Sequence, residues 1–132
     1  MRPELAREVH EWRRKAEIDL AAAEALLRGA QIVPSVAAFL CQQAAEKMLK
    51  AYLTDRQTPF GPIHDLRRLC DLCAASDPEF DRLLEAAREL TPYAVAVRYP
   101  GAGPDPDLAE AEAAFRRARE VVAFVALRLR DQ

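Results

Sequence analysis

The sequence lacks an excess of either charge and any long apolar run. Lysine and arginine number 19 against 21 aspartates and glutamates, which leaves a formal net charge of -2. Indiscriminate binding to nucleic acid requires a surplus of basic residues, so any contact with RNA or a nucleotide must be local. No apolar stretch approaches the roughly 20 residues of a membrane span, and charged residues follow Met1 where a signal peptide has an apolar core. We therefore expect a cytoplasmic protein with no membrane partner.

Cysteine and histidine are also scarce. The three cysteines are an odd number and nothing signals secretion, so a disulfide scaffold is not expected. Cys70 and Cys73 have the C-x-x-C spacing that serves zinc or redox chemistry, but no second pair follows. Cys41 with His10 or His64 makes a poor ligand set. We favour the alternative, in which the thiols are small core residues, and expect no metal.

Signatures of several enzyme classes are missing as well. The sequence has no glycine-rich phosphate loop, Walker lysine, G-x-S-x-G elbow or H-E-x-x-H pair. We set aside the enzyme classes that depend on them. The sequence predicts no cofactor, although a nucleotide ligand stays open.

The chain instead contains the signals of four to five helices. Apolar residues recur every three or four positions from about Pro3 to Arg28, and Gly29 ends that helix. A second helix is predicted from Pro34 to Asp55 or Arg56, before the proline-rich loop 58–62. With no period-two alternation, internal repeat or long linker, the sequence predicts a single all-α domain over residues 1–132.

The second half of the chain continues this pattern. Asp65 can cap a third helix over 66–75, and Asp77-Pro78 starts a fourth that continues to about Leu90. Pro92 either kinks that helix or restarts it, so the conformation of 93–99 stays open. A loop over 100–106 follows, in which we interpret Asp105 as the cap before Pro106.

The last helix has a wide apolar side. Its stripe repeats in three-four alternation at Leu108, Ala111, Phe115, Ala118, Val122, Val125 and Leu129. Val121, Phe124 and Leu127 extend the apolar side beyond what one packing face requires. An apolar excess of this kind favours self-association, so we expect a homodimer.

The second helix carries the most informative polar residues. Gln43, Glu46, Lys47 and Lys50 lie three or four positions apart and share a helical face, which indicates a site or an interface. A solvated ion pair between Glu46 and Lys50 is the alternative that needs no function. The amides of Gln42 and Gln43 can bind a base edge, a backbone or a partner subunit.

Two further positions have both a functional and a structural interpretation. His64 can hold a phosphate with Arg67 and Arg68 at the start of the third helix, or it can anchor the preceding loop while Asp65 caps that helix; we favour anchoring. Arg98 with Tyr99 can grip a phosphate and stack on a base, or fix the following loop to the bundle.

Four segments in order carry a family resemblance. They run from Ala16 to Leu27, from Phe39 to Leu53 with Gln42-Gln43-Ala44-Ala45-Glu46-Lys47 inside it, from His64 to Leu69, and from Arg98 to Gly101. From about Trp12 to Val125 the chain resembles a HEPN domain. The resemblance implies an up-and-down helical bundle, commonly dimeric, that works beside a minimal nucleotidyltransferase in prokaryotic two-gene, toxin-antitoxin-like modules. Other branches of the family bind nucleotide or act as metal-independent ribonucleases.

The ribonuclease branch has an arginine followed after four to six residues by a histidine. Arg98 matches the arginine, but Gly103, Pro104 and Asp105 stand where the histidine should be. Without an imidazole, no group there titrates near neutrality to move a proton from a ribose hydroxyl. Our first hypothesis is therefore a nucleotide-associated module; the alternative is a ribonuclease toxin that uses Arg98. The predicted nucleotide or phosphate site consists of Gln43, Glu46, Lys47, Lys50, His64, Arg98 and Tyr99.

Overall fold

The fold is an all-α bundle in a computed structural model that describes residues 2–95, 100–101 and 103–130. Two short 3₁₀ helices, Pro78–Leu83 and Thr91–Tyr93, occur in these ranges with five α-helices. The α-helices are α1 (Pro3–Arg28), α2 (Pro34–Asp55), α3 (Leu66–Ala74), α4 (Leu84–Leu90) and α5 (Leu108–Ala126). The predicted fold class, an all-α bundle of four to five helices, is confirmed. No helix of the described residues is long and apolar enough to cross a membrane.

Local signals set most helix boundaries as predicted. The Gly29 amide donates to the Ala25 carbonyl at 2.8 Å and ends α1. Pro34 occupies the first turn of α2. An N–H group there has no acceptor within the helix, so the helix loses no hydrogen bond when proline supplies none. The Asp65 carboxylate accepts from the Arg67 amide at 3.0 Å and caps α3.

The fourth predicted helix is divided. Asp77 caps it as expected, but the first six residues form the 3₁₀ helix Pro78–Leu83 before α4 begins at Leu84. The chain restarts at Pro92 as a single 3₁₀ turn, Thr91–Tyr93. Residues 96–99, the rest of the segment left open by the sequence, lie outside the described residues.

The interpretation of Asp105 as the cap of the last helix is wrong. Asp107 holds that position, and its carboxylate accepts from the Glu110 amide at 2.8 Å. The Glu110 carboxylate in turn accepts from the Asp107 amide at 3.1 Å. This reciprocal pair satisfies two amides that α5 itself leaves unbonded, whereas Asp105 has no glutamate three positions on.

Helix α2 lies at the centre of the bundle. It packs against α1, α3, α4 and α5, and 15 of its 22 residues are buried. Many contacts use alanine, which brings helix axes close, and aromatic rings fill the remaining space. The Phe80 ring lies 4.4 Å from Tyr52 and 5.1 Å from Phe124, centroid to centroid. A central helix of this kind must bury residues on every side.

The cysteines belong to this core, as predicted. Cys41, Cys70 and Cys73 are buried free thiols. Burial raises the pKa of Cys41 and Cys70 to about 12, and it raises the pKa of Cys73 as well, because the thiolate is poorly solvated there. They are therefore unreactive as nucleophiles at neutral pH.

The extra apolar residues of α5 do not form one exposed face. Val121 is buried in the core, and Phe124 is half-buried against Phe80. Leu127 is 75% exposed. The wide apolar side is mostly explained by packing within the chain, so these three residues lend little support to the predicted dimer.

A buried carboxylate ties the end of the chain to α2. Asp55 is fully buried, and its Oδ2 pairs with Arg56 and with the Arg130 Nε at 3.3 Å. Arg56 also donates to the Arg128 carbonyl at 3.1 Å. These contacts close the bundle at the C-terminal ends of α2 and α5.

Candidate functional site

A chain of polar side chains lies between α1, α2 and the loop before α3. Glu46 Oε2 accepts from Lys50 Nζ at 3.0 Å and lies 3.0 Å from His64 Nδ1. Glu46 Oε1 accepts from Gln42 Nε2 at 3.3 Å, and Gln42 Oε1 accepts from Gln43 Nε2 at 2.7 Å. We call these five residues the Glu46 network; it connects half-buried Gln43 to exposed His64.

Helical spacing builds the inner part of the network. Gln42, Glu46 and Lys50 lie four positions apart on α2 and therefore form one stripe. All three are buried, with Glu46 and Lys50 each only 5% exposed. His64 comes from the loop before α3, and its side chain is 72% exposed. The network thus has a buried base and an exposed imidazole at its outer end.

Two aromatic rings complete the surroundings of Lys50. Its ammonium lies 5.6 Å from the Trp12 ring centroid and 5.6 Å from that of Phe60. The two rings contact each other edge-to-face at 6.2 Å. The faces of aromatic rings attract cations, so the rings partly replace the water that the ammonium loses on burial.

The interpretation of Glu46 and Lys50 as a solvated ion pair is wrong. The polar side of α2 faces α1 and the loop before α3 instead of water, because α2 is central. Removing two charges from water costs several kcal/mol for each ion, which the mutual bond, Gln42, His64 and the rings must offset. Both side chains are therefore bonded inside the bundle and expose little surface to solvent.

Lys47 faces a different partner. Its ammonium bonds to Asp19 Oδ2 on α1 at 2.5 Å, and both side chains are largely buried. This pair fixes α1 against α2 but does not belong to the Glu46 network.

The structure thus brings together only part of the predicted site. Gln43 and His64 are connected through Gln42 and Glu46, whereas Lys47 is directed to α1. Arg98 and Tyr99, the other predicted site residues, lie outside the described residues. Four surface cavities of about 190 to 480 Å³ are lined by none of these predicted residues. Their linings come from α1, α4, α5, the end of α2 and the loop after it, and two of them include Trp12 or Phe60.

The anchoring role of His64 is present in the geometry. The bond to Glu46 holds the loop, and the Asp65 cap holds the start of α3. If the Nδ1–H group donates a hydrogen bond to the carboxylate, Nε2 is the nitrogen left to face the surface beside the first turn of α3. Arg67 and Arg68 are exposed in that turn. Such an arrangement can hold an anion.

Sequence reasoning missed Trp12, Phe60 and Asp19 as parts of these polar contacts. Trp12 lies within the first predicted helix and Phe60 within the predicted loop 58–62, and neither was assigned a polar contact. The Trp12 ring contacts Lys50 from 38 positions away in the chain, and the Phe60 ring contacts it from 10 positions away. The helical periodicity of a sequence does not predict pairs of this kind. The one available signal was an aromatic residue in a short loop between two prolines.

The buried pair generates a test by mutation. We expect Glu46→Met or Lys50→Met alone to lower the free energy of unfolding by about 3–5 kcal/mol, because each leaves a buried charge without its partner. The double variant should lose less than the sum of the two, by about 1–3 kcal/mol. Urea denaturation followed by circular dichroism measures all three.

The exposed pair Glu85 and Arg88 is the matched control. The same cycle with alanine at those two positions should show little coupling, since water screens exposed charges. Equal coupling in both cycles would contradict a special role for burial at Glu46 and Lys50.

Comparisons with known proteins agree with this architecture. The HEPN domain family matches residues 9–129 of the chain. The crystal structure of ST0689, described as an archaeal HEPN homologue, superposes with a TM-score of 0.74 at 24% sequence identity, covering 93% of this chain and 98% of that one. At that identity the likeness shows the fold alone. A comparison with curated proteins gives no match. The family match spans nearly all of the chain, which therefore belongs to the HEPN domain family.

Proposed function

We propose that the chain is a nucleotide-associated HEPN module that works beside a minimal nucleotidyltransferase in a prokaryotic two-gene, toxin-antitoxin-like module. In this role it acts as a homodimer that binds a phosphate-bearing ligand, and it does not cleave RNA. The partnership rests on the family, and the ligand site rests on residue chemistry. One observation carries the site: an exposed imidazole, His64, is oriented by a buried carboxylate just before the helix turn that contains exposed Arg67 and Arg68.

The proposed ligand contact is a phosphate of a nucleotide or of RNA. Exposed Arg67 and Arg68 lie in the first turn of α3 and His64 lies two residues before it, at a helix end whose dipole favours an anion. Arginine suits this contact because its planar guanidinium can donate two bonds to one phosphate. Glu46 and Lys50 serve as positioning residues that hold His64.

The remaining predicted residues extend the proposal. Gln43 lies at the other end of the Glu46 network, where its half-buried amide can recognise a base or a sugar hydroxyl. Arg98 and Tyr99 stay in the proposal on sequence grounds, as a phosphate-binding guanidinium and a stacking ring. Lys47 contributes only its positive charge, because its ammonium is already bonded to Asp19.

A ribonuclease is the second candidate, and one observation favours it. The contact between His64 and Glu46 resembles the pairing of a general base with an orienting carboxylate, and such a base could replace the histidine missing after Arg98. Against it, the Glu46 oxygen that faces His64 also accepts from Lys50, so the carboxylate is shared between the imidazole and an ammonium. We therefore rank this function second.

Nucleotide binding tests the proposed site. His64→Ala should weaken ATP affinity by about tenfold, because a charge-assisted bond to phosphate is lost. Isothermal titration calorimetry measures the change. The control is Arg82→Ala, which removes an exposed arginine from the 3₁₀ helix Pro78–Leu83 and should leave affinity unchanged. If His64→Ala binds ATP as the wild type does, His64 only anchors its loop and the phosphate assignment is wrong.

Incubation with labelled RNA separates the two candidate functions. The purified wild-type protein should leave the RNA intact, since the histidine expected after Arg98 is missing. Cleavage that disappears in both Arg98→Ala and His64→Ala would instead establish the ribonuclease. Cleavage that survives both substitutions indicates a contaminating nuclease.

Co-purification tests the partnership. Protein isolated from its native host at low salt should carry a minimal nucleotidyltransferase, identified by mass spectrometry, and bound nucleotide released by acid. The Arg82→Ala variant should retain both. Isolation of the chain with neither would contradict the proposed role.

A further inference from the structure

A groove between α1 and α5 shares no residue with the Glu46 network. Its volume is about 400 Å³. Leu20 and Ala21 of α1 and Phe115 and Val122 of α5 form its apolar floor. Leu20 and Val122 are only half-buried, so apolar surface stays open to water along the groove.

The two edges of the groove carry opposite charges. Glu17 and Glu24 line the α1 edge, and Arg119 lines the α5 edge. Among the described residues, the ion pairs of these glutamates are long ones with arginines of their own helix, at 3.5 Å for Glu17 and 4.0 Å for Glu24. Arg119 has no ion pair within the part of the chain that the structure describes; its guanidinium lies 5.8 Å from the Phe115 ring centroid.

The two helices run in opposite directions. Arg28, at the end of α1, bonds to Glu112, near the start of α5, at 3.1 Å. Counted along the helix axes from that contact, Glu24 and Glu17 therefore lie beside the middle of α5. Arg119 lies between them along the axis. The groove thus has an acidic edge and a basic edge over the same length.

We propose that this groove is the docking surface for a second copy of the chain, related by a two-fold axis parallel to α1 and α5. With that axis, α1 of each copy packs over α5 of the other. Glu17 and Glu24 of each copy then lie next to Arg119 of the other copy, so the contact is made once from each side. A two-fold axis across the groove would set glutamates against glutamates. Charge complementarity therefore selects one arrangement of the two copies.

Apolar surface next to the acidic edge supports the same arrangement. Ile18 is 50% exposed on α1, beside Glu17, and lies over the neighbouring α5 in this dimer. A stable interface covers about 800 Å² on each copy, roughly a tenth of the 7383 Å² surface of this chain. Two helices of 26 and 19 residues are long enough to provide it.

This inference specifies the homodimer of the proposed function and depends on that part of it alone. If the groove is not the interface, the proposed phosphate site at His64 is unaffected, because its own binding experiment tests it separately.

Charge reversal tests the dimer. The wild type should be a dimer at micromolar concentration by sedimentation velocity. Glu24→Arg and Arg119→Glu should each raise the dimer dissociation constant by about tenfold or more, because each sets like charges together twice. An equimolar mixture of the two variants should recover most of the lost affinity, since positions 24 and 119 then carry opposite charges in both contacts and only Glu17 of one copy faces a like charge. Arg82→Glu, away from the groove, should dimerise as the wild type does.

Other outcomes overturn the proposal. A monomeric wild type excludes the dimer. Two variants that both dimerise normally place the interface elsewhere. Folded variants that fail to recover on mixing show that Glu24 and Arg119 do not meet across copies; circular dichroism establishes that each is folded, and unchanged ATP affinity keeps this failure separate from the phosphate site.

Discussion

Burial of the Glu46–Lys50 ion pair is the constraint on which the candidate site depends. Two charges inside a bundle are tolerated only when other groups take over the contacts that water would make. Gln42 and His64 supply hydrogen bonds, and the Trp12 and Phe60 rings surround the ammonium. Because these groups come from α1, α2 and the loop before α3, satisfying one ion pair fixes three segments relative to one another.

The same principle explains why an alanine-rich bundle has one arrangement. Alanine side chains are small and interlock little between helices, so they discriminate weakly between neighbouring helical registers. Polar contacts on α2 add directional constraints at three levels: Lys47 with Asp19, Glu46 with His64, and Asp55 with Arg130. A helix shifted by one turn would leave buried charges without partners. We infer that these contacts set the register, while the apolar core supplies most of the stabilisation.

The sequence predicted what local chemistry determines. Gly29, Pro34 and Asp65 each act within a turn of their own position, so the boundaries of α1, α2 and α3 were readable. The burial of Lys50 was not, because residue type and period report a polar side without reporting what covers it. The pair of Lys47 with Asp19 spans 28 positions and has no local signal. The prediction that Asp105 caps the last helix was wrong for a simpler reason. An aspartate before a proline is a common cap, but Asp107, two residues later, forms the stronger reciprocal pair with Glu110.

The geometry of His64 has a consequence for any phosphate bound there. With Nδ1 directed at Glu46, the neutral ring presents a lone pair at Nε2, which repels a phosphate oxygen. A ring that carries hydrogen on both nitrogens instead donates to Glu46 through Nδ1 and to the phosphate through Nε2. Glu46 Oε2 also accepts from Lys50, so one carboxylate oxygen holds both a buried ammonium and an exposed imidazole. The orientation of the imidazole toward a ligand therefore depends on a buried ion pair.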